Sequence, residues 1–206
     1  MPDSAAFYDN LEASLAKARS LIDIGARDRR QPSHHPVVAS IGSDGTPRQR
    51  VMILRALDWQ NRRLRFHTDY RTTKVEEYSD NAAASVLVYE PDAKIQLRLT
   101  GTANILNQGQ AVDTAWAEAT LFARRCYLAN QRPGAVSERP ISGLPEWVEG
   151  RAPSDEELAP ARENFAILFF EFHQIEWLYL ANSGHRRARW NWNSASSSWE
   201  GCWLVP

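Results

Sequence analysis

Cysteine is almost missing from this chain. The two present, Cys126 and Cys202, stand far apart among 206 residues. That is too few for a disulfide framework and the wrong spacing for a metal site, so a reducing compartment is expected. Long apolar runs are missing too: none approaches the ~20 residues of a membrane span. The opening MPDSAAFYDNLEASLAKARS holds no apolar stretch of signal-peptide length. A cytoplasmic protein with no membrane partner is the expectation. Charge of one sign is also lacking. With 24 basic and 25 acidic side chains and a formal net charge of −1, nothing global attracts nucleic acid. An anion site must then be a local cluster. There is no P-loop, no glycine-rich dinucleotide fingerprint and no serine in a nucleophile elbow. His34-His35 runs into Pro36 and reads as a loop rather than a metal pair, so no metal is expected.

Tryptophan, by contrast, is abundant. Five of the eight fall in the last thirty residues: Trp177, Trp190, Trp192, Trp199 and Trp203. Rings of that size bury large areas in a core or at a subunit interface. The length suits one domain with a full core. A single domain over 1–206 is expected, with a helix at 4–24, a barrel core at about 35–182 and a closing hairpin at 185–206. Ser4 can cap the first helix, and Leu11, Leu15, Ala18 and Ile22 recur at helical spacing. PVVASIGSDGTPRQRVMILRAL reads as two strands around Asp44-Gly45, a hairpin signal because the tight turn needs positive φ. LRFHTD, ASVLVY and KIQLRLTGTANIL read as further strands, and TKVEEYSDN as a short helix capped by Thr72 or Thr73. Residues 109–130 read as one later helix with Val112, Trp116, Ala119 and Phe122 on its apolar side. Ser154 and Glu157 have capping-box spacing, and 164–181 holds one or two strands. Strands at short spacing with few helices argue a mainly β fold, an antiparallel barrel rather than βαβ units.

Lys94, Gln96, Arg98 and Thr100 alternate with Ile95, Leu97 and Leu99, so one face of that strand is polar. Arg50 and Met52 share one strand face, and Val51, Ile53 and Arg55 the other. The stretch TDYRTTK puts Thr68, Thr72, Thr73 and Lys74 beside a helix start. Helix starts favour anions through free backbone N–H groups, and a phosphate favours arginine forks, a lysine and hydroxyls.

RVMILR at 50–55, FHTDYRTTK at 66–74 and QLRLTG at 96–101 are similar, in order and spacing, to the flavin motifs of the pyridoxamine 5'-phosphate oxidase family. VVASIGSDGTPRQ resembles that family's first hairpin. The resemblance implies a six- or seven-stranded antiparallel split β-barrel binding flavin mononucleotide (FMN). It implies that Arg50 and Lys74 hold the phosphate with Thr72 and Thr73. Val51, Met52, Ile53 and Leu54 would line the ring with backbone contacts. His67 and Thr68 would touch the flavin, Gln96 would reach its ribityl or ring edge, and Arg55 would stand near ring and substrate. It further implies a homodimer with FMN at the interface, the second subunit adding a tryptophan and an arginine. Trp177 and Arg189 are the candidates, with Leu178 and Trp190 as neighbours that also match.

On the flavin-phosphate side one position departs: Thr73 stands where the oxidases commonly carry arginine. The other departures concern the substrate. The arginine-proline-serine segment that binds substrate phosphate is replaced by LFARRCYLANQRPGAVSE, and Ala188 stands two residues after Arg186 where a histidine is expected. An intact cofactor half and a replaced substrate half imply a flavin-dependent oxidoreductase acting on another small molecule. A non-catalytic flavin carrier or sensor, and a split barrel binding heme or another ligand, are the alternatives.

Overall fold

The computed structural model describes residue 7 and residues 9–206. Helix α1 spans Leu11–Arg27, with the Asn10 side chain accepting from the Ala13 N–H at its start. It therefore starts and ends later than the 4–24 expected, and Ser4 lies outside the described residues. Nine strands follow: β1 Val37–Ile41, β2 Pro47–Val51, β3 Leu54–Asp58, β4 Arg63–Asp69, β5 Ala83–Glu90, β6 Ile95–Leu106, β7 Phe165–Tyr179, β8 Arg186–Asn193 and β9 Ser198–Leu204. Four short helices are interspersed: α2 Thr73–Asp80, α3 Gln110–Glu118, α4 Leu121–Arg124 and α5 Asp155–Leu158.

Seven strands form a continuous antiparallel path, β2-β1-β5-β6-β7-β4-β3, and the hairpin β8-β9 hangs from β7. The two ends of that path, β2 and β3, are consecutive in the chain. Only Met52 and Ile53 separate them, a link of at most ~10 Å between the flanking Cα atoms. The sheet must therefore curl until its edges are neighbours, although no ladder joins β2 to β3 among the described residues. This is the split barrel. The run VMILRAL was expected to continue one strand; the Met52 N–H makes the last bond in register with the β1–β2 ladder, to the carbonyl of Pro36, and pairing stops there because proline has no N–H to return. A continuous apolar run carries no sign of such a break.

Alternation decides what the barrel encloses. Leu64 and Phe66 of β4, Val86 and Val88 of β5, Leu97 and Leu99 of β6 and Phe170 and Phe172 of β7 point inward and are buried, and α1 adds Ala18 and Ile22. β7 is one strand, bulged against β6 between Thr100 and Gly101. Gly101 is required there, since a Cβ would overlap the Glu171 carbonyl. A second, smaller core lies on the outer face of β7, where Phe165 and Ile167 meet Val112 and Ala115 of α3, with Trp116 and Tyr127 beside them. The helix expected over 109–130 breaks at Ala119–Thr120, where Thr120 caps α4. That break leaves Phe122 exposed rather than packed. The capping box at Ser154 and Glu157 forms as expected and opens α5.

Candidate functional site

The anion-seeking residues meet at the start of α2. Arg50 lies opposite Val38 on the β1–β2 ladder, so its side chain shares a face with the buried Ser40. Its guanidinium donates to the Ser40 hydroxyl at 2.6 Å and to Glu77 Oε2 at 2.9 Å. Ser40 in turn donates to the same carboxylate oxygen. From the other side, the Lys74 ammonium donates to the hydroxyls of Thr68 and Thr72, both at 3.0 Å. Thr72 is the N-cap of α2, but its hydroxyl is turned to the Asp69 carbonyl instead of capping. Tyr78 ties the helix down through the Ala39 carbonyl. Thr73 is exposed and makes no side-chain bond to the cluster.

The electrostatics are lopsided. Among the described residues no carboxylate pairs with Lys74, and its pKa is pushed down to about 8. Burial is the main cause and the nearby Arg50 charge adds to it, against weaker help from Glu77 and Asp69. Asp69 itself is occupied by Arg71 at 2.7 Å. A largely buried cation beside a second cation, held only by hydroxyls, is a place where an anion is the stabilising neighbour.

A second group sits on the outer face of β3 and β4. Arg55 occupies the bulge between Leu54 and Ala56 and is exposed. His67 points outward with its edge on Phe165, and its Nε2 is buried without a hydrogen-bond partner. Burial first, then the charges of Arg55 and Arg65, push the His67 pKa down to about 3. Tyr127 packs on Phe165 as well, and burial raises its phenol pKa against the pull of Arg55. Tyr127, like Ser40 and Glu77, was not singled out from the sequence. The one available signal was Glu77 three residues after Lys74, hence on the same helical face.

A third group lies across β7. Gln96 is opposite both Tyr89 and Leu178 on the outer face of the sheet. Trp177 points the other way and is fully buried in its own barrel, stacked with Tyr179. It has no surface to offer another subunit, whereas Leu178 is half-buried on the outer face. Trp190 is buried too, while Arg189 stands outward with an unpartnered buried Nε. Met52 and Leu54 are buried and Val51 is 61% exposed. One chain thus assembles Arg50, Thr68, Thr72 and Lys74, and it places Arg55 with His67. It does not bring Gln96, Trp177 or Arg189 to either group. Among the described residues no group of His, Cys, Asp and Glu could hold a metal, and no helix is long and apolar enough to cross a membrane.

Comparison with known proteins bears on the fold and on the family resemblance. Residues 13–107 match the family model described as the pyridoxamine 5'-phosphate oxidase FMN-binding domain. A curated Arabidopsis thaliana protein, pyridoxine/pyridoxamine 5'-phosphate oxidase 2, is 23% identical over 190 residues, 87% of this chain and 89% of its own length. A pyridoxamine 5'-phosphate oxidase-related, FMN-binding protein from Nostoc punctiforme superposes with a TM-score of 0.74 at 20% identity, covering 93% of this chain and 96% of that one. PhzG from Burkholderia lata, solved with tetrahydrophenazine-1-carboxylic acid, gives 0.66 at 19% identity over 95% and 92% of the two chains. The family resemblance read from the sequence is borne out, and so is its mainly β, split-barrel fold.

Proposed function

We propose that this chain is an FMN-binding, flavin-dependent oxidoreductase acting on a small molecule as a homodimer. The observation that carries the reading is Lys74, a desolvated ammonium 3.0 Å from two hydroxyls and, among the described residues, without a carboxylate partner. With Arg50 it forms a cradle of cations and hydroxyls fitted to a phosphate monoester. Bound FMN supplies hydride-transfer chemistry. The chain's own residues supply position and electrostatics: Arg50, Lys74, Thr68 and Thr72 hold the phosphate, with the Thr73 backbone at the helix start. The 51–54 segment and His67 flank the ring. Arg55, uncommitted to any acid among the described residues, stabilises negative charge near the reacting edge.

What a single chain leaves apart supports the dimer. Gln96, Leu178 and Arg189 lie on an outer face across β7 from Arg55 and His67. A second copy laying that face against the first would complete one site from two chains. Leu178 replaces Trp177 as the C-terminal contact, because Trp177 is buried in its own barrel. The cytoplasmic location expected from the scarcity of cysteine is part of the same proposal.

The purified protein is expected to be yellow and to release FMN on denaturation. Arg50→Ala with Lys74→Ala should abolish flavin retention while circular dichroism and light scattering still report a folded dimer. Undiminished flavin in that folded double variant would sink the phosphate assignment. Bleaching of the flavin by an anaerobic substrate panel separates an enzyme from a carrier.

A further inference from the structure

Glu77 is a carboxylate at 8% exposure beside a cluster built for an anion. A carboxylate there repels a phosphate, so its presence needs a reason. Its geometry supplies one. Arg50 comes from β2, at one end of the strand path. Unrestrained, a long guanidinium side chain samples many rotamers. Here two of its five N–H groups are fixed, one on Ser40 and one on Glu77 Oε2, and Ser40 closes the triangle by donating to that same oxygen. Three N–H groups remain. Lys74 likewise has two of its three N–H groups on Thr68 and Thr72 and one left. Burial alone would raise the Glu77 pKa, but the hydrogen bonds of Ser40 and Arg50 outweigh it and hold the carboxyl ionised.

We propose that Glu77, acting with Ser40, is a positioning residue that locks Arg50 into the orientation that receives the flavin phosphate. It thereby sets the protein's preference for phosphorylated over unphosphorylated flavin. This rests on the phosphate reading above. Glu77 need not touch the cofactor. It acts through the direction it imposes on Arg50, as outer-shell carboxylates orient the ligands they support. α2 carries both Glu77 and Lys74, so a single helix sets the Arg50 fork and the ammonium relative to each other.

The test is titration of flavin-free protein with FMN and with riboflavin, followed by quenching of flavin fluorescence. Wild type, Glu77→Ala, Glu77→Gln, Ser40→Ala and Arg50→Ala are compared. Glu77→Ala is expected to weaken FMN binding at least tenfold and leave riboflavin binding within twofold. Glu77→Gln keeps an oxygen acceptor in place and should recover most of the loss. Ser40→Ala should fall between them. Glu77→Ala that binds FMN as tightly as wild type, or more tightly, overturns the proposal and makes Glu77 only a counter-charge. Equal weakening of both flavins also overturns it, since it shows a purely structural role in α2. The underlying phosphate reading fails separately, if Arg50→Ala leaves the preference for FMN over riboflavin unchanged.

Discussion

The Lys74 ammonium sits 3.0 Å from the Thr68 hydroxyl, bridging the start of α2 to the end of β4. Its pKa of about 8 predicts a pH dependence. In the flavin-free protein Lys74 loses its proton as pH rises through 8, whereas a bound phosphate dianion draws the proton back. FMN affinity should therefore hold up to pH 8 and fall progressively above it. Lys74→Met should bind more weakly at pH 7 and lose that decline. Stability of the flavin-free protein runs oppositely. The folded pKa lies below the unfolded value of 10.5, so the unfolded chain holds more protons between them and stability rises from pH 8 to 10.5. Thermal melts of flavin-free protein across that range check the sign.

His67 gives the acid limb. Its folded pKa is about 3 against an ordinary 6.5, through burial and the charges of Arg55 and Arg65. As pH falls, the unfolded chain takes up this proton first. The contribution of a neutral His67 is present above pH 6.5 and is lost progressively between 6.5 and 3. At about 1.4 kcal/mol per pKa unit, this is on the order of a few kcal/mol. His67→Phe should flatten the fall in urea midpoint between pH 6.5 and 4. A parallel fall in both proteins would assign the acid sensitivity elsewhere.

Local periodicity made much of this fold legible, and it failed where a neighbour decides. The alternation in KIQLRLTG placed Leu97 and Leu99 inward, and they are buried. Asp44-Gly45 marked the turn between β1 and β2, where Gly45 takes φ +76°. The break at Met52–Ile53 was invisible because the β1–β2 ladder runs out opposite Pro36, a residue with no N–H to donate, sixteen positions away. Trp177 and Leu178 both fitted the motif, and only the register of β7 against β6 shows which one faces out. On the site, Arg50 and Lys74 were readable as cations. The Glu77–Ser40 contact depends on α2 packing on β1, a long-range event that no spacing encodes.

That register separates two adjacent substitutions. Trp177→Ala removes a fully buried ring from the core and should cost about 3–5 kcal/mol of stability. Leu178→Ala, on the half-buried outer face, should change the urea midpoint little while lowering flavin retention in the dimer. If Trp177→Ala melts like wild type and selectively loses flavin, then the ring and not its neighbour contacts the cofactor.

The substrate side yields the last expectation: little or no turnover of pyridoxamine 5'-phosphate by the flavin-loaded protein. A second phosphate needs its own donors, and of the four arginines near enough in sequence three are committed elsewhere, while Arg132 is exposed with no side-chain bond among the described residues. Arg124 spans Asp155 at 2.7 Å and the carbonyls of Ala117 and Ala119. Arg125 bonds the Arg151 carbonyl and lies over the Phe122 ring. Arg186 pairs with Asp9 at 2.9 Å. Ala188, in the place of the expected histidine, points into the core and is fully buried. A histidine in that register would face the barrel interior instead of a ligand. Hydrogen peroxide release under saturating substrate measures the outcome. Turnover at ~1 s⁻¹ or faster, an ordinary enzymatic rate, would show that other donors hold the substrate phosphate.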